Sequence, residues 1–279
     1  MTSATKLGQN DAPLVGPQGD DLHLMSYNIR RIIRGTRHGS PDFWPRRRGL
    51  VERLLRAESP TVLGVQEALH SQADDLSAML GPHMHRIGRG RSASGTGEGC
   101  PVFYDSRRLE LVRWRQLALS PTPSSPGSRG WGNLVPRIAV AAEFARRDTG
   151  QRFGLLNAHL DHLSRRSRIR STEMIASLAQ RAEHPVIVMG DFNTTPRSAP
   201  YRALRSAGLR DTWVVASERR GRARGTYSGF GAPQADGRRI DWMFVSAGLE
   251  VVTAAINTTR FEGRAASDHE PIQAVLRFS

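Results

Sequence analysis

Short apolar runs alternate along the chain with longer amphipathic segments, as in an α/β protein. The clearest run, Val186 to Met189, is rich in β-branched residues, long enough for a buried strand and ended by Gly190. Between Trp44 and Pro60, apolar residues recur at the spacing of one helical face. The pattern predicts strands at 21–28, 61–66, 100–104, 109–119, 137–144, 153–160, 186–189, 239–246, 249–257 and 272–278, and helices at 44–59, 72–80, 164–181 and 198–206.

The length of 279 residues suits one large α/β domain, since no linker or repeat divides the chain. Residues 1–20 are polar and rich in Gly and Pro, without the apolar segment of a signal peptide. We expect them to form a disordered leader to a domain at 21–279. No apolar run approaches the length of a membrane span. Cys100 is the only cysteine, which excludes an intrachain disulfide and fits a reducing cytoplasm.

The positive charge of the chain indicates an anionic partner. The formal net charge is +14 and the isoelectric point about 11.4, which favours nucleic acid or another polyanion. Lys6 is the only lysine, so nearly all of the positive charge comes from arginine. A GC-rich genome produces the same bias through its codons. The charge therefore supports an anionic substrate without identifying it as DNA.

Polar side chains capable of chemistry recur at or beside the ends of the predicted strands. Asp191 and Asn193 follow the strand at 186–189, and in an extended segment residues two apart point to the same side. Ligands commonly bind at such strand ends, although Asp and Asn are also ordinary turn residues. Further residues of this kind are Asn28, Glu67, His159, Asp241, and Asp268 with His269. Their repetition favours an active site over a set of unrelated turns.

These residue types together suit the hydrolysis of a phosphoester. Glu67 is a hard oxygen ligand for Mg²⁺, which would polarise a phosphoryl oxygen and stabilise the leaving oxygen. Asp191 would position a water for in-line attack. His269 would act as an acid or base or stabilise the transition state, with its tautomer held by Asp241. The non-bridging oxygens would be contacted by His159, Asn28 and Asn193.

The chain resembles the endonuclease/exonuclease/phosphatase superfamily over nearly everything from Leu22 to Phe278. Six motifs in the family's order carry the resemblance: MSYN with Asn28, GVQE with Glu67, NAHLDH with His159, GDFN with Asp191 and Asn193, RIDWMF with Asp241, and SDHEP with Asp268 and His269. The resemblance implies a DNase I-like four-layer α/β sandwich, with two mixed β-sheets packed face to face and helices outside. It also implies the roles given above, with Asp268 near the metal alongside Glu67 and Asn28.

Within this superfamily, the chain is similar to a group of uncharacterised bacterial metal-dependent hydrolases. The shared runs lie at Glu98 to Tyr104, Pro136 to Ile138, His159 to His162 with Arg168, and Gly225 to Tyr227. This resemblance implies that Glu98, His162 and Arg168 contact the substrate. Tyr104 is either a further contact or a core residue.

We therefore expect a Mg²⁺-dependent phosphoester hydrolase, with Mn²⁺ able to replace Mg²⁺. Water would attack a phosphodiester or a phosphomonoester without a covalent intermediate. A nuclease is the first candidate, because of the charge and the arginines that begin the helix at 164. The alternative is a phosphatase or phosphodiesterase for a small metabolite or a phospholipid. A non-catalytic binder of nucleic acid or a phosphorylated ligand is a third reading, which the intact set of catalytic residue types disfavours. We expect a cytoplasmic monomer without a transmembrane segment.

Overall fold

A computed structural model describes residues 12–221 and 225–279 of the chain. Its strands are β1 (Leu22–Asn28), β2 (Val62–Gln66), β3 (Met84–Ile87), β4 (Val102–Asp105), β5 (Leu109–Ala118), β6 (Ile138–Arg146), β7 (Arg152–His159), β8 (Val186–Asp191), β9 (Arg210–Asp211), β10 (Glu218–Arg220), β11 (Asp241–Val245), β12 (Leu249–Ile256) and β13 (Ile272–Phe278). Its helices are α1 (Trp44–Glu58), α2 (His70–Leu80), α3 (Arg165–Gln180), α4 (Ala199–Ser206) and α5 (Thr212–Val215).

The strands form two sheets. Seven strands make the first, in the order β10-β12-β13-β1-β2-β4-β3, and six make the second, in the order β5-β6-β7-β8-β11-β9. Most neighbours are antiparallel, but β1 pairs in parallel with β2, β10 with β12, and β7 with β8. Both sheets are therefore mixed, as the resemblance implied.

The main hydrophobic core lies between the two sheets. It joins residues such as Leu24 and Val62 of the first sheet to Leu155 and Met189 of the second. Separate clusters pack α1 and α2 on the outer face of the first sheet and α3 and α4 on that of the second. These layers confirm the predicted four-layer α/β sandwich.

Signals in the sequence account for several helix ends. Pro45 stands in the first turn of α1, where its missing N–H costs nothing. Ser59 ends that helix in the left-handed region with φ 44°, and its N–H donates to the Leu55 carbonyl. Ser164 caps α3 by accepting from the Ser167 N–H at 3.1 Å. Among the described residues, no helix combines the length and apolar character needed to cross a membrane.

Several short elements were absent from the sequence prediction: β3, β9, α5 and β10. Each has four residues or fewer, which is too short for a periodic pattern to show. The last lies at the start of the basic segment at 219–237, whose residues 222–224 are outside the described part of the chain.

Part of the predicted disordered leader is ordered. The N–H groups of Leu14, Val15 and Gly16 donate to the Glu58 carboxylate at 2.7, 3.1 and 3.0 Å. The same carboxylate accepts from Asn257 Nδ2 at 2.7 Å and Gln273 Nε2 at 2.8 Å. The prediction of disorder is therefore wrong for this part of the leader. The backbone N–H groups of the leader are held by the buried Glu58 carboxylate at the end of α1. Residues 1–11 lie outside the described residues.

His23 is buried beside this cluster, and we predict that it makes stability depend on pH. Its Nε2 lies 3.1 Å from Gln273 Nε2, and burial lowers the pKa of His23 to about 4, against 6.5 when unfolded. The unfolded chain therefore binds the proton more tightly. Stability is full above pH 6.5 and falls as the pH drops towards 4, by up to about 3 kcal/mol.

Urea unfolding at several pH values measures this effect. His23→Gln should have a smaller difference in the free energy of unfolding between pH 7 and pH 4.5 than the unsubstituted protein. His38→Gln, at an exposed loop position, is the control and should leave the difference unchanged. If the free energy of unfolding depends on pH equally in the unsubstituted protein and in His23→Gln, the prediction is contradicted.

Candidate active site

The polar residues predicted at strand ends meet at one edge of the molecule, where the two sheets face each other. In the second sheet, His159 at the end of β7 and Asp241 at the start of β11 both stand in register with Asp191. In the first sheet, Asn28 ends β1 in register with Gln66, the last residue of β2. This edge also carries Glu67 directly after β2 and Asp268 with His269 shortly before β13.

The Asn28 side chain connects the two sheets. Its Nδ2 donates to Glu67 Oε1 at 3.1 Å and to Asp191 Oδ2 at 3.0 Å. Its Oδ1 accepts from the Arg30 N–H at 3.0 Å. The amide therefore presents its nitrogen to both carboxylates. For Asn28 to bind a metal through oxygen, as predicted, the amide would have to turn over.

Two functional residues have left-handed backbone conformations. Glu67 has φ 64° and Asn193 has φ 50°. Asn adopts this region readily, whereas for Glu it is strained at a cost of about 1–3 kcal/mol. Hydrogen bonds hold both turns: the Arg31 N–H donates to Glu67 Oε2 at 3.1 Å and the Asn193 N–H to Asp191 Oδ1 at 2.8 Å. The surrounding contacts thus fix the direction in which each side chain points.

His269 is paired with Asp241 and faces Asp191. Its Nδ1 lies 2.9 Å from Asp241 Oδ2, and its Nε2 lies 3.8 Å from Asp191 Oδ2. Burial alone would lower the pKa of His269, but Asp241, Asp191 and Asp268 outweigh it and raise the pKa to about 10. The ring is therefore charged at neutral pH and its Nε2–H is a donor. Asp241 Oδ1 is buried and has no hydrogen-bond partner among the described residues.

Asp191 has the properties of a general base. Burial and the Asp241 carboxylate raise the pKa of Asp191 to about 7, against the opposing effects of His269, the Asn193 N–H and Asn28. A carboxylate with a pKa near the working pH can both accept and release a proton efficiently. Its position at the centre of the site is that of the group predicted to direct the attacking water.

His159 lies on the other side of Asp191. Its Nε2 is 3.1 Å from Asn193 Nδ2, 3.4 Å from an Arg137 nitrogen and 3.5 Å from Asp191 Oδ2. Burial, reinforced by the Arg137 cation, holds the pKa of His159 well below its usual value. The neutral ring therefore accepts from its neighbours. The structure brings His159 and Asn193 together, as their shared predicted role requires.

Glu67 and Asp268 form an acidic end of the site that fits a divalent cation. Burial, assisted by the Glu67 carboxylate, raises the pKa of Asp268, and the charges of His269 and of Arg30, whose Nε lies 3.7 Å from Asp268 Oδ2, offset this only in part. Burial opposes ionisation of Glu67, but hydrogen bonds from the Arg31 N–H and Asn28, together with the charge of His269, lower its pKa. A cation between the two carboxylates would relieve their repulsion, and carboxylate oxygens are the ligands that Mg²⁺ prefers.

A second group of ligand atoms lies close by. Atoms of Asp191, Asp241 and His269 all lie within 4.8 Å of one another. However, the hydrogen bond between His269 and Asp241 already occupies Nδ1 of the ring. The charged imidazole is also a poor metal ligand, since binding requires its neutral form. We therefore favour Glu67 and Asp268 as the metal-binding end.

The predicted substrate contacts divide into rim residues and one core residue. Glu98 and His162 both pair with arginines beside the site, and Arg168 donates to the Asp161 carbonyl at 2.8 Å. Tyr104 is buried between the sheets, 5.0 Å from Phe144 between ring centroids. It stands in register with Val62, at the opposite end of β2 from the site. The structure therefore favours the core alternative for Tyr104.

Sequence reasoning did not predict the contacts of two buried arginines: Arg137, which lies in the shared run Pro136 to Ile138, and Arg47. Arg137 contacts both His159 and His162. Arg47, only 1% exposed, donates to the carbonyls of Ile29, Arg30 and Ala266 at 2.8, 3.0 and 3.2 Å and so ties together the loops beside Asn28 and Asp268. A signal for Arg47 was present, because it precedes Leu50 and Leu54 at helical spacing. Because Arg47 stands in a run of three arginines, its residue type did not distinguish it from its neighbours.

Comparison with known proteins identifies the family. A family model described as Endonuclease/Exonuclease/phosphatase family matches residues 25–269. The chain belongs to this family. This chain is a hydrolase acting on phosphoester bonds, and members of the family generally depend on a divalent metal.

Solved structures of the endonuclease/exonuclease/phosphatase family share the whole architecture. A mannosyl-6-phosphatase of Bacteroides thetaiotaomicron is 30% identical with a TM-score of 0.84, covering 92% of this chain and 100% of its own. A family protein of the same organism is 29% identical with a TM-score of 0.86, covering 93% and 98%. Human nocturnin is 23% identical over 72% of this chain, which spans 49% of nocturnin. The curated relatives are matched over 45% to 67% of their lengths.

We predict that Asp191→Asn nearly abolishes turnover without unfolding the protein. The amide keeps the shape of the carboxylate but cannot accept a proton, so kcat should fall by about 10²- to 10⁴-fold. Steady-state kinetics and thermal unfolding measure the two quantities. Asp148→Asn, in the exposed turn between β6 and β7, is the matched control. A folded Asp191→Asn variant with the original rate would refute the assigned role.

Proposed function

We propose that this member of the family is a Mg²⁺-dependent phosphatase that hydrolyses small phosphomonoesters by direct attack of water. The observation that carries the hydrolytic part is the placement of Asp191 beside the charged His269–Asp241 pair at one edge, with Glu67 and Asp268 adjacent. This set supplies a base, a cation and an acidic metal site within one small volume. The predictions of a monomer and of a cytoplasmic location stay predictions.

Each residue has a distinct part in the proposed mechanism. Glu67 and Asp268 would hold the cation, which would supply positive charge for a phosphoryl oxygen and for the leaving oxygen. Asp191 orients the water and accepts its proton. The His269 imidazolium donates from Nε2 to the phosphoryl group as negative charge develops, and Asp241 stabilises its charge. His159 and Asn193 line the same space on the opposite side of Asp191.

The charges around the site favour a small substrate over a nucleic acid strand. Arg91 and Arg31 pair with Glu98, Arg137 pairs with Asp161, and Arg30 pairs with Asp42, at 2.7 to 3.2 Å. A strand-binding groove needs cations available to phosphates, whereas each of these arginines already pairs with a carboxylate. The likeness to a mannosyl-6-phosphatase at 30% identity over nearly the full chain supports the same reading.

A nuclease, which was the first candidate from the sequence, is the second candidate function. Arg165 and Arg166 are exposed at the start of α3, beside the loop that carries His162. These side chains could follow a phosphate backbone leaving the site. The likeness to nocturnin and to a DNA-bound TDP2 of Danio rerio in solved structures, at 19% and 17% identity, supports the fold alone.

Mg²⁺ should bind without substrate, and we predict that it raises the unfolding temperature. At a concentration of 100 times Kd, binding contributes about 2.7 kcal/mol of stability. Glu67→Gln should bind Mg²⁺ more weakly, because it loses a charged ligand, and EDTA should silence the unsubstituted enzyme until Mg²⁺ or Mn²⁺ is added. Calorimetric titration and thermal unfolding test binding independently of activity. Activity indifferent to EDTA, with no thermal shift, would refute the metal site.

Substrate class is tested by assaying three compounds with Mg²⁺: D-mannose 6-phosphate, bis-p-nitrophenyl phosphate and a single-stranded oligonucleotide. Asp191→Asn serves as the blank for each. We predict phosphate release from the sugar phosphate at the highest kcat/KM, because the compensated rim binds a small ester better than a strand. Preferential cleavage of the oligonucleotide would contradict the phosphatase proposal and support the nuclease.

A further inference from the structure

His162 carries a hydrogen-bond donor whose position is fixed. Arg137 donates to His162 Nδ1 at 2.8 Å. A guanidinium can only donate, so Nδ1 must be the unprotonated nitrogen, and the neutral ring carries its proton on Nε2. The side chain is exposed. The loop after β7 therefore presents a neutral N–H donor to whatever occupies the space beside the active site.

Arg137 couples this donor to the catalytic residues. Its side chain is buried, pairs with Asp161 Oδ2 at 3.1 Å, and lies 3.4 Å from His159 Nε2. One guanidinium thus contacts a residue of the active site and the exposed His162. The His159 and His162 rings are therefore held by the same guanidinium. His162 consequently keeps a defined position relative to His159.

Glu98 provides an acceptor nearby. Its carboxylate receives both nitrogens of Arg91, at 2.7 and 2.9 Å, and Arg31 at 3.2 Å. The Arg31 N–H donates to Glu67, and the Gly99 N–H to the Ala68 carbonyl at 2.8 Å, which anchors the acceptor beside the metal-binding end. Burial lowers the pKa of Arg91, Glu98 opposes this, and the Arg137 cation adds to it, so the Arg91 and Arg137 guanidinium groups interact. We name Arg31, Arg91 and Glu98 the carboxylate clamp.

The chemistry of this rim matches hydroxyl groups. A neutral donor at His162 and a carboxylate acceptor in the clamp offer directional hydrogen bonds with little uncompensated charge. A hydroxyl group both donates and accepts, so it can satisfy such a pair, whereas a further phosphate would meet the Glu98 carboxylate. Exposed Tyr227, whose ring lies 5.1 Å from that of His269, adds an apolar surface beside the site.

We propose that His162, oriented by Arg137, and the carboxylate clamp recognise hydroxyl groups of the alcohol that is esterified to the phosphate. The substrate class is then the phosphomonoester of a polyhydroxylated, sugar-like alcohol. This inference rests on the proposed phosphatase function and adds to it the residues that select the leaving group. His162 and Glu98 are specificity-determining residues, and Arg137 is a positioning residue.

The test compares D-mannose 6-phosphate with phenyl phosphate, whose alcohol has no further hydroxyl group. The selectivity is the ratio of their kcat/KM values. His162→Ala should lower it about tenfold, mainly through KM for the sugar phosphate, as expected for one lost hydrogen bond. His162→Gln should restore most of it, since Oε1 can accept from Arg137 while Nε2 donates. His85→Gln, at an exposed position on β3, is the control and should keep the original ratio.

Glu98→Gln tests the clamp separately. Removing its charge leaves Arg91 and Arg31 uncompensated, so selectivity for the sugar phosphate should fall while inhibition by inorganic phosphate becomes stronger. An equal loss for both substrates in His162→Ala, or failure of His162→Gln to restore the ratio, would overturn the inference. If the unsubstituted enzyme hydrolyses phenyl phosphate without preferring the sugar phosphate, only this inference fails. If it hydrolyses neither, the proposed function itself fails.

Discussion

The active site depends on one amide side chain that crosses between the two sheets. Asn28 ends a strand of the first sheet, yet its Nδ2 donates to Glu67 of that sheet and to Asp191 of the second. Close to it, Gln66 donates to Asn157 Oδ1 at 2.7 Å and Asn157 Nδ2 donates to the Val65 carbonyl at 2.9 Å, so further hydrogen bonds join the sheets within the core. Because buried polar groups are costly when unpaired, these hydrogen bonds fix the relative positions of the sheet edges. The metal-binding end and the base are thereby held at a defined separation.

The concentration of buried charge at this edge is unfavourable for the fold alone. Asp191, Asp241 and Asp268 are buried close together, and only part of their charge is balanced by His269. Burial and repulsion from Asp241 raise the pKa of Asp191 to about 7, whereas attraction to Asp241, Asp191 and Asp268 outweighs burial and raises the pKa of His269 to about 10. Such large pKa shifts are typical of catalytic sites, where a base and an acid must coexist near neutral pH. A divalent cation would complete the balance.

Much of the architecture could be predicted from the sequence, because long strands and helices carry periodic patterns. The strand at 186–189 with Asp191 and Asn193 behind it is an example. The roles at the rim could not be predicted in the same way. Tyr104 lies in a shared run but is directed into the core by the pleat of β4, and Arg137 is isolated in sequence from the histidines it contacts. The order at residues 14–16 depends on the Glu58 carboxylate, which is about forty residues away along the chain and leaves no local signal.

The central claim is that water, directed by Asp191, attacks phosphorus without a covalent intermediate. The most direct measurement is a single turnover of phenyl phosphate in H₂¹⁸O, followed by mass analysis of both products. The account predicts one ¹⁸O atom in the released phosphate and none in the phenol. Label in the phenol would place bond cleavage at carbon. A phosphorylated enzyme trapped before phosphate release would assign the attack to a side chain, and either result would contradict the mechanism.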